Sequence, residues 1–195
     1  MPTVVGVDLA VPGRGWIGLA AVEARSLVLE SAALTREAVY VAEYVMSHVP
    51  HMVVIDAPLS LPERGGFRRA ERWAMRMLSA RLLPLTLASM RLLASTGAEL
   101  RQRLQWTTVV ETHPSSAARL AGAADAEAFL ECLGLSPGLP RGMPRSKRRH
   151  VVDAVVAAAV GALLARGEAL LYGDDAVFVF PRPGLCAVTT REGRA

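Results

Sequence analysis

Residues 52–58 read MVVIDAP, an apolar run that ends on a carboxylate and is stopped by a proline. The run has the length and composition of a buried strand, but a buried carboxylate without a partner costs several kcal/mol. Asp56 must therefore be solvated, hydrogen-bonded or bound to a cation. Two further apolar runs also end on an acid, since TVVGVDLA carries Asp8 and TTVVETHPS carries Glu111. Three predicted strands thus finish on carboxylates.

The order of the predicted elements indicates a mixed α/β fold. The first three strands are TVVGVDLA, WIGLAAVEA and SLVLESAAL, which form an antiparallel meander. A helix, TREAVYVAEYVMSHV, then leads to the strand MVVID, and a helix between strands favours a parallel return. Helices between about residues 63 and 106 form an insertion, and TTVVETH resumes the sheet. The helices are expected to pack on both faces of one sheet.

The whole chain, residues 1–195, has the length of a single domain. VFVF, near the C-terminus, is predicted to add an edge strand, and residues 181–195 are predicted to form a tail. VVDAVVAAAVGALLA is shorter than the roughly 20 residues that a bilayer requires, so it predicts a buried helix and no membrane contact. The N-terminus lacks the pattern of a signal peptide, which favours a cytoplasmic protein.

Cys132 and Cys186 lack metal-ligand spacing, and we expect reduced thiols.

The strand-end acids suit a metal site. Neighbouring strands lie about 4.8 Å apart, so Asp8 and Asp56 on one face can share a cation. His150 and Asp153 are three residues apart on the long helix and project from one helical face. Three or four carboxylate ligands with one imidazole suit Mg²⁺ or Mn²⁺. The predicted ligands are Asp8, Asp56, Asp153 and Glu111, with His150 beside them.

A basic cluster precedes the long helix. Positive charge is unfavourable at a helix N-terminus, and a phosphate ligand would compensate for it. The alternative is a solvated loop whose charges are screened. The four residues are Arg145, Lys147, Arg148 and Arg149.

Each candidate also has a structural interpretation. Asp8 can cap a hairpin, and Asp56 before a proline can belong to an Asx-turn. Glu111 and His113 can form a hydrogen-bonded pair. Asp153 lies among apolar residues, where an acid without a function is costly, so it favours a functional site.

Three tryptophans can stack nucleobases, but packing is the more common role of such residues. They are Trp16, Trp73 and Trp106.

Five segments, in order, resemble the domain-of-unknown-function 429 family, which is described as predicted nucleases of ribonuclease H fold. They are VVGVDLAVPGRGWIGLA, VVIDAPLSLPERGG, LTLASMRLLASTGAEL, VVETHPSSAARLAG and RHVVDAVVAAAVGAL. The resemblance implies a five-stranded ribonuclease H-like sheet of order 3-2-1-4-5. Asp8 would then lie on the central strand beside the strand that carries Asp56.

The layout also resembles the bacterial Holliday-junction resolvases of the same fold. Those enzymes use an Asp on the first strand, an acid at the end of the fourth, and an acid or His three residues before an Asp on the last helix. Asp8, Asp56, His150 and Asp153 stand at matching places, whereas Glu111 has no counterpart. The resemblance implies a two-metal nuclease in which Asp8 bridges the ions and Asp56 and Asp153 each hold one. Glu111 and His150 would complete the shell.

Two other function classes stay open. One is a non-catalytic nucleic-acid-binding or scaffold protein on the same fold, which would bind without turnover. The other is an actin-like phosphotransferase, but that superfold needs two such domains and 195 residues supply one. The sequence leaves open whether the nucleic acid is DNA or RNA, and whether the protein is a monomer or a homodimer.

Overall fold

The computed structural model describes residues 2–11 and 13–187. The strands are β1 Thr3–Asp8, β2 Ile17–Glu23, β3 Val28–Thr35, β4 Met52–Asp56, β5 Thr108–Glu111, β6 Ala169–Gly173 and β7 Val177–Pro181. The helices are α1 Ala38–His48, α2 Arg69–Leu78, α3 Ala88–Arg103, α4 Pro114–Ala121, α5 Ala126–Cys132 and α6 Arg145–Ala165.

The strands form a single mixed sheet with the order β3-β2-β1-β4-β5-β7-β6. β1, β4, β5 and β7 run parallel, β2 and β3 continue from β1 as the antiparallel meander, and β6 pairs antiparallel with β7. The predicted order 3-2-1-4-5 is confirmed, but the sheet has seven strands and not five. VFVF forms β7 inside the sheet, because β6 pairs along its outer side and becomes the edge.

Helices cover both faces of the sheet, as expected. Alternate residues of β1 point to opposite faces, so Val4 packs against α6, while Val5 and Val7 pack with α1 and α3. α6 is buried along most of its length and contacts β1, β2 and β4. This explains why its sequence is apolar all round, which is the pattern of a fully buried helix. Within the described residues, no helix is long and apolar enough to cross a membrane.

The predicted helical insertion after the fourth strand is present as α2 and α3. The N-terminus of α2 is capped by a residue remote in sequence, because the carboxylate of Asp175 in the β6–β7 turn accepts hydrogen bonds from the Arg69 and Ala70 N–H groups. Trp73 stacks on Tyr172 with a centroid distance of 4.2 Å. The insertion is therefore docked on the hairpin that widens the sheet.

The two cysteines form a disulfide between the last residue of α5 and the segment after β7. The prediction of reduced thiols was wrong, because Cys132 and Cys186 are 54 residues apart and only the packing of α5 beside the end of the sheet brings them together. The same segment is anchored to α4, where the Gly184 N–H donates to the Leu120 carbonyl at 2.9 Å. The rest of the predicted tail, residues 188–195, lies outside the described residues.

Candidate active site

Two of the predicted acids lie side by side at the end of the central parallel pair. Asp8 and Asp56 are direct partners in the register of β1 and β4. Since partners in neighbouring strands share a face, both side chains project toward α6. Their carboxylates therefore leave the sheet together at its C-terminal edge, where open α/β sheets bind ligands.

Two glycines let α6 lie directly on the sheet next to these acids. A Cβ on Gly6 would clash with the carbonyl oxygen of Ala154, and a Cβ on Gly18 would clash with the carbonyl oxygen of His150. Gly18 is also the partner of Asp8 in the register of β1 and β2. This close approach places His150 Nδ1 2.5 Å from Asp8 Oδ2. A larger residue at either position would force the helix away from the acids.

Asp153 completes a group of three mutually repelling carboxylates. Burial and the charge of Asp8 raise the pKa of Asp153 to about 6, and Arg149 only partly offsets this from 3.3 Å. Burial, followed by the charges of Asp8 and Asp153, raises the pKa of Asp56 well above its usual range. Burial also raises the pKa of Asp8, although the hydrogen bond from His150 opposes the shift. In the described part of the chain, the Asp56 carboxylate has no hydrogen-bond partner.

This donor set fits a hard divalent cation. Buried carboxylates that lack sufficient positive charge are stabilised when a cation binds, and oxygen ligands are those preferred by Mg²⁺ and Mn²⁺. Across residues 2–11 and 13–187, no three His, Cys, Asp or Glu side chains stand at coordinating distances from a common point. Asp8, Asp56 and Asp153 offer oxygen donors of the type that such a cation prefers, but their side chains would have to adjust to hold one.

Glu111 is held by a different partner. Ile55 is the register partner of Glu111, so its side chain starts from the face opposite to that of Asp8 and Asp56. Its two oxygens accept hydrogen bonds from Arg68 at 2.6 and 2.7 Å, and Oε1 also accepts from the Leu59 N–H. The bidentate geometry is that of a strong, charge-assisted pair. In the structure this carboxylate pairs with Arg68, and it lines the same cavity as Asp8 and Asp56.

Arg68 is the residue at this site that the sequence did not reveal. It is 1% exposed, bonds Glu71 as well as Glu111, and lies over the ring of Phe178. A buried charge of this kind is stable only when it is paired and hydrogen-bonded. The segment ERGGFRRAER offers several arginines in similar contexts, so nothing in it distinguishes the buried one.

A cavity of about 330 Å³ opens beside Asp8 and Asp56, whereas Asp153 does not line it. Asp8 and Asp56 line it, as do the guanidinium-bearing residues Arg81 and Arg149. The α2–α3 connection and α3 supply an apolar wall of Leu82, Leu83, Met90 and Leu93. The cavity therefore combines carboxylates, cations and an apolar surface, and its size lies in the lower range of ligand pockets.

His113 also lines the cavity, but it does not pair with Glu111 as the sequence allowed. Its Nδ1 lies 2.7 Å from Ser116 Oγ in the first turn of α4. Burial, together with the charges of Arg119 and Arg149, lowers the pKa of His113 to about 4. The imidazole is therefore neutral at pH 7.

The predicted basic cluster is divided among several partners. Arg148 pairs with Glu127 on α5 at 2.9 Å, and Arg149 pairs with Asp153. Lys147 instead lies over the ring of Trp16. Among the described residues, Arg145 has no ion-pair partner. Two of the four charges are thus already compensated within the protein.

Comparison with solved structures identifies the fold. The chain is similar to RuvC of T. thermophilus in complex with a Holliday junction substrate, with a TM-score of 0.51, 16% identity, and coverage of 86% of this chain and 97% of that one. It is also similar to the structure of Thermus thermophilus RuvC, with a TM-score of 0.50, 16% identity, and coverage of 85% and 96%. No family model and no curated protein matches the chain.

The protein therefore has a ribonuclease H-like fold of the kind found in RuvC resolvases. At 16% identity the likeness concerns the fold alone. The resemblance to the domain-of-unknown-function 429 family stays a prediction. So does the functional role of each residue at the site.

Proposed function

We propose that the protein is a divalent-metal-dependent nuclease that hydrolyses phosphodiester bonds of nucleic acid. The observation that carries the proposal is the meeting of Asp8, Asp56 and Asp153 at the C-terminal edge of the sheet, where burial raises all three pKa values and the charges of neighbouring carboxylates raise those of Asp56 and Asp153 further. Such an arrangement is destabilising unless a cation joins it. A structural role would provide each acid with a partner, and among the described residues the Asp56 carboxylate has none, although Asp8 bonds His150 and Asp153 bonds Arg149.

Each side chain has a distinct task in this proposal. Asp8 is the register partner of Asp56 and would bridge two ions, while Asp56 and Asp153 would each hold one. When bound, Mg²⁺ or Mn²⁺ stabilises the negative charge that develops on the phosphate during hydrolysis. The hydrogen bond from His150 Nδ1 fixes the orientation of the Asp8 carboxylate. The positive charges of Arg81 and Arg149 at the cavity wall attract the substrate phosphate.

Glu111 has a supporting task. Its bond to Arg68 joins the end of β5 to the start of α2, and its bond from the Leu59 N–H holds the loop that follows Asp56. In this proposal Glu111 maintains the shape of the metal site without contacting the ions. The prediction that Glu111 is a ligand is tested by Glu111→Gln, which would remove a bound ion if Glu111 held one.

The decisive experiment is a cleavage panel with Mn²⁺ over single-stranded DNA, duplex DNA, an RNA–DNA hybrid and a four-way junction. We expect cleavage of at least one substrate by the wild type, and none by Asp8→Asn or Asp56→Asn. Glu43→Gln, on the exposed side of α1, is the matched control and should cleave like the wild type. Equal cleavage by Asp8→Asn would refute the proposed site. Binding without cleavage of any substrate would favour the non-catalytic alternative.

A further inference from the structure

Trp16 is flanked by two cations that come from separate parts of the chain. The guanidinium carbon of Arg36 and the Nζ of Lys147 each lie 4.3 Å from the centre of the indole ring. Trp16 precedes β2, Arg36 lies between β3 and α1, and Lys147 is in the first turn of α6. The fold therefore gathers two positive charges around one aromatic ring.

These two charges lack the compensation that their neighbours have. Within the described part of the chain, neither Arg36 nor Lys147 forms an ion pair, whereas Arg148 and Arg149 both do. The face of an aromatic ring attracts a cation but carries no net charge. Two cations around one ring therefore still repel each other. An anion that contacts both would remove this repulsion.

The cluster lies beside the candidate active site. Gly18 is the register partner of Asp8, the last residue of β1. Trp16 stands two residues before Gly18, so at about 3.4 Å per residue the Trp16 backbone lies roughly 7 Å beyond the level of Asp8. Lys147 precedes His150 by one helical turn, and His150 bonds Asp8. A nucleic-acid strand that places a phosphate at the acids would therefore pass close to Trp16.

We propose that Trp16, Arg36 and Lys147 bind the nucleotide next to the scissile phosphate, and that this nucleotide is unpaired. The inference rests on the proposed nuclease function and deepens it by naming the substrate class. Arg36 and Lys147 contact the backbone phosphate. As they turn toward it they leave the indole ring, which then stacks on the exposed base. Bases inside a duplex cannot offer a face to the ring, so substrates with unpaired nucleotides beside the cleavage point are preferred.

The test uses the fluorescence of Trp16 in a variant that keeps only this tryptophan, with Trp73→Phe and Trp106→Phe. The protein is titrated in chelator, so that nothing is cleaved, with a single-stranded oligonucleotide and with a blunt duplex of the same sequence. We expect quenching of Trp16 emission by the single strand and a much smaller change with the duplex. In a separate measurement of affinity from the anisotropy of a dye-labelled oligonucleotide, Trp16→Phe should keep the preference for the single strand, because it retains an aromatic ring, whereas Trp16→Leu should lose it.

Salt dependence tests the two cations independently of fluorescence. The slope of log affinity against log salt should become less steep by about 1 for Arg36→Gln and again for Lys147→Gln. Arg101→Gln, an exposed arginine on α3, is the matched control and should leave the slope unchanged. Unchanged emission at saturating oligonucleotide, equal quenching by the duplex, or a wild-type slope for Arg36→Gln would each overturn the inference.

The outcomes also separate this inference from the proposed function. Cleavage by the wild type without any change in Trp16 emission would leave the nuclease standing and refute the stacking site. Quenching of Trp16 by the single strand without cleavage of any substrate would support the stacking site and refute the nuclease.

Discussion

Asp153→Asn is expected to stabilise the metal-free protein, which is the opposite of what most buried substitutions do. The pKa of Asp153 is raised from 3.8 to about 6. A difference of about 2 units corresponds to roughly 3 kcal/mol of destabilisation above both values. The side chain is 13% exposed, so solvent screens this effect only weakly. The bond from Arg149 is long and its guanidinium is 78% exposed, so its loss should cost little.

The sign of the pH dependence follows from the direction of the shift. Because the folded state binds the Asp153 proton more tightly than the unfolded state, the stability of the wild type should fall as the pH rises through about 6. The variant lacks this proton site. Its advantage should therefore be greatest at pH 8, at up to about 3 kcal/mol, should shrink as the pH falls from about 6 toward 4, and should vanish below the unfolded-state pKa of 3.8.

Urea unfolding in chelator at pH 4.5, 6 and 8 measures both effects. Adding Mn²⁺ at pH 8 should raise the melting temperature of the wild type, because a ligand of the folded state stabilises it by mass action, and should raise that of the variant much less. A variant Asp153→Asn that is less stable than the wild type at pH 8 in chelator would contradict the expected relief of repulsion. Such a loss, of about 1–3 kcal/mol, would show that Asp153 has a hydrogen-bonded structural role.

Three further substitutions test separate contacts. Gly18→Ala should displace the first turns of α6 through its clash with the His150 carbonyl and weaken Mn²⁺ binding measured by calorimetry; unchanged binding would show that the close approach is not needed. Glu111→Gln should lower the free energy of unfolding by about 3–5 kcal/mol, because it leaves Arg68 buried without its main charged partner. The number of Mn²⁺ ions bound, measured by calorimetry, should not change. The loss of one ion would instead identify Glu111 as a ligand. Cys132→Ser should lower the stability of the oxidised protein by about 4 kcal/mol, the loop-closure value for a separation of 54 residues, and a variant as stable as the wild type in urea would contradict this.

The central sheet could be predicted because its sequence signals are local. β1, β2, β4 and β5 are short, mainly apolar runs with a clear stop, and the helix before β4 favours a parallel return. β6 could not be predicted in this way, because Leu170 and Leu171 are both substantially exposed and follow a long helix without a distinct turn signal. VFVF was therefore wrongly predicted to be the edge strand, because β6, which pairs with its outer side, was not recognised.

The site was accessible to sequence analysis only in part. The places of Asp8 and Asp56 follow from strand ends, and the spacing of His150 and Asp153 follows from helical periodicity. The partner of Glu111 depends on strand register, because a shift of one residue sends a side chain to the other face. The Cys132–Cys186 bond and the burial of Arg68 depend on contacts between distant segments, which local patterns do not encode.

The seating of α6 on Gly6 and Gly18 has a consequence for protein engineering. Thermostability is commonly increased by filling gaps along core helices with larger side chains. Here the contact between α6 and the sheet, where such substitutions would be made, also sets the distance between the Asp8 and Asp153 carboxylates. Enlarging Ala154 or Ala158, which are both fully buried against the sheet, would widen that spacing without touching any acid. Stabilised variants should therefore be sought on α1, on the opposite face of the sheet.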